Sequence, residues 1–386
     1  MQRFAKELRE GLVLVLLLGL GTSTLPAQAD STGDGDRDKQ EQEGVLTIKS
    51  MGARAFGGTT IPMPDDPTNF QACDHGYTDW FIPTSARQHP MVLVHGSSAR
   101  TYQTTFDGRP GFQTIFLRRK YPVYLVDLPW TGRAGKACQE YTWNPVSPGF
   151  SARFVFTNRI GLWPVNTPVT EKEFFPGSAF PRDSASLDQF FRNQYVEIND
   201  TMNVRIETDA LAVLLEELAQ EHGAGAILHT HSSSAARGLL VARKSDKLAG
   251  QIIWEPSASP VFPEGELPPP LQRADDSLFA AGTAVPLEEF LKLTTHPFLI
   301  IWGDDIPTEP DPANLGPLEN RRLLVERYRL FAEAINDHGG DVTIVHLPDV
   351  GLQGNTHYPM ADKNIVKVAG VVGQWLKDEG LDKRKP

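Results

Sequence analysis

Cysteine is scarce, with two in 386 residues. That excludes a cysteine-rich zinc cluster and a small disulfide scaffold, and it permits at most one intramolecular bridge. Positive charge is also in short supply. Lys and Arg number 37 against 48 Asp and Glu, for a formal net charge of −11. Such a balance argues against non-specific nucleic-acid binding, which needs a positive surface. No internal repeat is visible, and the composition is not that of a multi-span membrane protein or a disordered chain. What remains is an ordinary globular balance, 40% hydrophobic and 22% charged, with 30 Pro and 33 Gly. So many turn residues predict at least one loop-rich region.

The N-terminus reads as an address. Arg3, Lys6 and Arg9 precede an apolar run at 12–20, and Ala27-Gln28-Ala29 matches a small-x-small cleavage pattern. These features predict a secretory signal peptide over 1–29, cleaved after Ala29. The run is shorter than the roughly 20 residues that span a bilayer, so an uncleaved anchor fits less well and no stable membrane insertion is expected after cleavage. Residues 30–44 read as a flexible acidic linker. Asp34, Asp36 and Asp38 alternate there, but the twelve-residue calcium loop with its closing Glu is missing. A secreted or periplasmic location follows, and an oxidising compartment permits a Cys73–Cys138 disulfide. Two free thiols are the alternative.

Residues 45–380 alternate strand and helix patterns. Short strands at 45–49 and 77–82 predict an antiparallel entry. Apolar strands at 91–95, 123–127, 224–229, 251–254, 298–302 and 342–347 follow. Helical spacing marks 111–120, 202–221, 233–243, 321–337 and 364–377, with Leu211, Leu214, Leu215 and Leu218 on one face of the second. The pattern predicts an α/β domain with a mostly parallel central sheet and helices on both faces. It lapses over about 143–200, expected to be an inserted cap, and in the Pro-rich stretch 256–295, expected to be a lid segment. Eight Phe fall in 143–195 (150, 154, 156, 174, 175, 180, 190, 191), together with Trp143, Trp163 and Tyr195. These rings either wall a pocket for a hydrophobic acyl or aryl group or pack a core of the cap's own.

In parallel sheets, ligands bind beyond the carboxyl ends of the strands. One strand there runs into Thr230-His231-Ser232-Ser233-Ser234-Ala235-Ala236. Strand, sharp turn with a central Ser, then helix is a nucleophile elbow, which exposes the Ser hydroxyl beside free helical N–H groups. The usual glycines are replaced by Thr230 and Ser234, and a polar helix cap is the plainer reading. Val94-His95-Gly96-Ser97 ends an earlier strand. Ser97 and Ser233 are expected to lend backbone N–H groups to an oxyanion hole. His357, after the last strand, stands where a general base belongs. Two acids lie between Ser232 and His357 in order, Glu255 and Asp304, and position alone favours Asp304. His229 and His231 flank the elbow, but no complementary ligand set stands out, so buried hydrogen-bonded imidazoles are expected and no metal or organic cofactor is required.

The residues of 92–135, with His95-Gly96, Asp107-Gly108-Arg109-Pro110-Gly111-Phe112, Tyr121 to Asp127 and Gly132-Arg133, resemble a branch of secreted bacterial α/β-hydrolases, the esterase 713-like enzymes. Thr230-His231-Ser232, Trp254-Glu255-Pro256-Ser257 and Gly354-Asn355-Thr356-His357 continue the resemblance. It implies an α/β-hydrolase fold and a Ser232–Glu255–His357 triad, and it moves the expected acid to Glu255. The expected function is hydrolysis of carboxylic esters, on small-molecule or polymeric substrates, through an acyl-enzyme on Ser232. Lactone, polyester or amide hydrolysis is the nearest alternative, and a non-catalytic binding protein with a degenerate elbow is a remoter one. A homodimer is left open. N-terminal sequencing of the exported protein is expected to begin at Asp30; a start at Met1 would remove the signal-peptide reading.

Overall fold

Eight strands make one sheet in the computed structural model, which describes residues 43–96, 98–140, 151–194, 200–312 and 316–385. The signal peptide, most of the acidic linker, Ser97, Trp143, Phe150 and Tyr195 lie outside the described residues. The chain enters through β1 (Ile48–Phe56), a small hairpin of β2 (Thr59–Met63) and β3 (Asp66–Cys73), and β4 (Gly76–Pro83). The central strands follow as β5 (Met91–Val94), β6 (Val123–Asp127), β7 (Ala226–His231), β8 (Leu248–Trp254), β9 (Phe298–Trp302) and β10 (Val342–His346). Their order in the sheet is β1-β4-β6-β5-β7-β8-β9-β10. β1–β4 and β4–β6 pair antiparallel, while every later pair is parallel.

The strand sequences explain this layering. In β5, Met91 and Leu93 join one hydrophobic cluster while Val92 and Val94 join the other. Successive side chains point to opposite faces, so a continuous apolar run is buried on both. One face takes α1 (Phe112–Arg118) through Phe112, Ile115 and Phe116, and α7 (Ile365–Asp378) through Val368, Val372 and Trp375. The other takes α4 (Thr201–His222), α5 (Ser234–Ala242) and α6 (Pro317–Asp337). α4 starts where Asp200 accepts the Asn203 N–H at 2.8 Å and stops at Gly223, whose φ of 68° is the left-handed conformation that closes a helix. Its Leu211, Leu214, Leu215 and Leu218 are buried, as their spacing predicts. Among the described residues, no helix is long and apolar enough to cross a membrane.

Three expectations shift. The first strand is not 45–49 but Ile48–Phe56, a stretch with few apolar residues whose pairing rests on backbone bonds to β4. The β2–β3 hairpin was not expected, because its polar, Pro-containing sequence reads as turn. Residues 143–200 include two helices, α2 (Ala152–Thr157) and α3 (Ser184–Arg192). Phe156, Phe180 and Phe190 there are fully buried and belong to the same cluster as Phe106, Tyr358 and Met360. These rings extend the domain core and do not wall an open pocket. In the 256–295 stretch, polar contacts run to α6: Tyr328 donates to Ala258 O, Arg327 to Pro269 O, and Glu319 accepts from the Ala274 N–H.

Cys73 and Cys138 are joined in a disulfide, which ties the end of β3 to the segment after β6. Closing a loop of this length restricts the unfolded chain by about 4 kcal/mol in the chain-entropy account. Replacing both cysteines by serine is expected to lower the unfolding free energy by up to about that amount, measured by urea titration under non-reducing conditions. Equal stabilities would show that the bridge adds nothing.

Candidate active site

The register of β7, β8 and β9 sets the spacing of the site. His231 pairs with Trp254, and Trp254 with Ile301, so the next residues of the first two strands, Ser232 and Glu255, leave the sheet side by side. The Ser232 N–H donates to Trp254 O at 3.0 Å, and the Glu255 N–H to Ile301 O at 2.9 Å. Both residues have positive φ, 57° at Ser232 and 45° at Glu255. Such a conformation costs of order 1–3 kcal/mol for a residue with a side chain and persists only where the surroundings fix it. Here it turns both side chains toward the same rim.

The departures from glycine at 230 and 234 have a structural account. Ser234 Oγ accepts the His231 N–H at 2.8 Å and lies 3.0 Å from Val94 O and 2.8 Å from His231 O, so its hydroxyl is built into the turn. Thr230 is buried at the close approach of β7 to α5. The residue that makes room is Gly238 on the helix, where a Cβ would meet Thr230 Cγ2 at 2.9 Å and Gln251 Nε2 at 2.3 Å.

His357 bridges the two strand ends. Its Nε2 lies 3.0 Å from Ser232 Oγ and its Nδ1 lies 3.2 Å from Glu255 Oε2. The His357 N–H donates to Arg159 O at 3.0 Å, and its carbonyl accepts from His231 Nε2 at 2.6 Å. Facing a carbonyl, His231 Nε2 must carry the proton. Glu255 is fully buried and bound by Arg321 through Nε at 3.0 Å and Nη2 at 2.8 Å, and it also accepts the Gly303 N–H. Burial pushes its carboxyl up, but the Arg321 guanidinium and then His357 outweigh that and hold it at about 2. For His357, burial drives the imidazolium below its ordinary value, and Glu255 offsets part of the fall. Burial drives His95, His229 and His231 down as well, so these are neutral rings.

Asp304, the other expected acid, is not at the imidazole. Its Oδ2 accepts the Gly354 N–H at 2.8 Å, and its own N–H donates to Asn355 O at 2.7 Å. It therefore holds the loop that carries His357. Asp362 holds the same loop from the other side, accepting from Thr356 N at 2.7 Å, Thr356 Oγ1 at 3.0 Å and Asn355 Nδ2 at 3.2 Å. Burial pushes Asp362 up to about 7. Arg109, paired with Asp107 at 2.8 Å, donates to the carbonyls of Ala361, Asp362 and Lys363. Sequence reasoning missed Arg321, Gly303, Asp362 and Gly238, none of which carries a local signal. Ser233, the residue after Ser232, is half-buried at the start of α5. His229 is buried with Trp254 Nε1 donating to its Nδ1 at 3.4 Å. Among the described residues, no group of three or more His, Cys, Asp or Glu could hold a metal ion.

Comparison with solved structures decides the fold. The chain aligns with the structure of a novel bacterial esterase at a TM-score of 0.62, covering 87% of this chain and 98% of that one at 20% identity. The fold is that of the α/β-hydrolases. At the sequence level, the chain is 24% identical over 330 residues to "Probable secreted lipase phiG" of Fungal sp. (strain ATCC 74256), covering 78% of this chain and 86% of that protein. No protein-family model matches.

The charge on Glu255 is the main counterweight to burial at His357. NMR titration is expected to give a His357 midpoint below 6.5, and Glu255→Gln is expected to lower it further, because both contributions of the carboxylate raise it. An unchanged or raised midpoint in the variant would contradict the hydrogen bond.

Proposed function

We propose that this protein is a secreted serine hydrolase that cleaves carboxylic esters through an acyl-enzyme on Ser232. The observation that carries the reading is the unbroken chain from Ser232 Oγ to His357 Nε2 at 3.0 Å and from His357 Nδ1 to Glu255 Oε2 at 3.2 Å. Three distant parts of the sequence meet in one line, and a purely structural cap at the elbow would need neither Glu255 nor His357. The esterase and lipase named above are consistent with the same class.

In this mechanism His357 is neutral at neutral pH and takes the Ser232 proton as the hydroxyl attacks the ester carbonyl. Glu255, held ionised by Arg321, fixes the tautomer with the proton on Nδ1 and stabilises the imidazolium that forms. The N–H groups of Ser233 and Ser97 bind the oxyanion; each such donor contributes about 2.7–4 kcal/mol to the transition state. The alcohol leaves with the proton from His357, and water then releases the acyl group by the same route. Lactones, polyesters and amides would follow the same steps. Export through the 1–29 signal is supported by the Cys73–Cys138 disulfide and by the fungal relative, which is named as secreted.

The test is turnover of a p-nitrophenyl ester. Ser232→Ala is expected to lower kcat by roughly 10³-fold or more, and Glu255→Gln comparably. Asp304→Asn should cost far less, since Asp304 touches the loop and not the imidazole. A severe loss in Asp304→Asn with little in Glu255→Gln would overturn the acid assignment, and equal rates for wild type and Ser232→Ala would overturn the catalysis. The acid limb of kcat/KM is expected below pH 6.5, activity falling as His357 gains its proton.

A further inference from the structure

We propose that Arg159 anchors an anionic group of the substrate, so that the preferred ester bears a carboxylate on its acyl or alcohol part; this rests on the acyl-transfer reading above. Arg159 lies just after α2 in the inserted segment, and its carbonyl accepts the N–H of His357 at 3.0 Å. The inserted segment therefore touches His357 directly, through this arginine. Its Nη1 donates to the Tyr358 hydroxyl at 2.5 Å and to Gln194 Oε1. The guanidinium carbon stands 5.6 Å from the centre of the Tyr358 ring. That ring in turn lies 5.0 Å from His231, 5.5 Å from His95 and 5.9 Å from His357.

Both side-chain partners of Arg159 are neutral, and no described carboxylate pairs with it. Its Nε and Nη2 donate to no described residue. The contrast with the other arginine beside the base is sharp: Arg321 is neutralised by two hydrogen bonds to Glu255. Arg159 is half-buried against the Tyr358 phenol, whose ring in turn packs among His95, His231 and His357. An unpaired charge in such a place is costly, and a planar guanidinium with two open donor positions matches a carboxylate in two parallel bonds. The field of Arg159 also reaches the site, disfavouring the charged forms of His95, His231 and His357 behind the larger effect of burial. A carboxylate bound at Arg159 would supply the missing counter-charge within one residue of the catalytic imidazole.

The experiment uses the full mature protein and two matched substrate pairs. The acyl-side pair is the p-nitrophenyl monoester of glutaric acid and its neutral methyl ester. The alcohol-side pair is 4-acetoxybenzoate and its methyl ester. The ratio of kcat/KM, anionic over neutral, is expected to exceed about tenfold in one pair and to collapse in Arg159→Gln, with Arg159→Lys retaining part of it. Because the ratio is internal to each variant, partial misfolding does not mimic the result. Glutarate is expected to compete with neutral-ester turnover by the unmodified protein, with an inhibition constant that rises with added salt. Neutral-ester turnover without anionic preference in either pair, or a preference that survives Arg159→Gln, would overturn the proposal alone. Turnover of no ester in either pair would overturn the acyl-transfer reading and this proposal with it.

Discussion

A carboxylate with no exposed surface needs a partner, and Glu255 has one in Arg321. Removing two charges from water is expensive, and breaking such a pair from one side typically costs about 3–5 kcal/mol. The pair is geometric as well as electrostatic. Arg321 takes one bond to each Glu255 oxygen, the Gly303 N–H adds another, and Oε2 is left aimed at His357 Nδ1. Gly303 itself leaves no room for variation, since a Cβ there would meet Asn355 O at 2.6 Å and Glu255 Oε1 at 2.9 Å. The side chain that orients the base is thus fixed by the end of one strand and the first turns of one helix.

The remaining contacts hold His357 in place, as the proposed proton transfer would require. Both backbone groups of His357 are bonded, its carbonyl to the His231 ring and its N–H to Arg159 O. Asp304 accepts the Gly354 N–H and Asp362 the Thr356 N–H, on either side of Asn355 in the loop that delivers it. Neighbouring imidazoles are kept uncharged by burial, so the only imidazolium the site would stabilise is the one facing Glu255. In the proposed acyl transfer, a preorganised arrangement of this kind would avoid reorganisation at the moment of reaction.

Much of this was legible in the sequence because it is written in contiguous residues. The apolar runs marked the parallel strands, and the residues beyond them offered Ser232, the alternatives Glu255 and Asp304, and the loop of His357. The choice between Glu255 and Asp304 was not legible from position, since both follow a buried strand; the resemblance favoured Glu255, and the register brings Glu255, not Asp304, to the imidazole. Arg321 and Asp362 carry no local signal, because their partners lie 66 and about seven residues away and are met only through the fold. The Phe-rich insertion misled as far as it suggested an open wall: rings with no exposed surface at 156, 180 and 190 look the same in a sequence as rings lining a pocket. The first strand was displaced because pairing at a sheet edge depends on backbone groups that every residue carries.

The glycine on α5 bears on how such proteins are found. A pattern written along one segment treats room as a property of that segment's own letters. At Thr230 the vacancy is supplied eight places downstream, from the surface opposite, so a search that demands small residues around the serine would discard this chain although the two surfaces still fit. What descent must preserve is the summed bulk of two apposed surfaces, and that sum can be redistributed between them without disturbing the hydroxyl they frame.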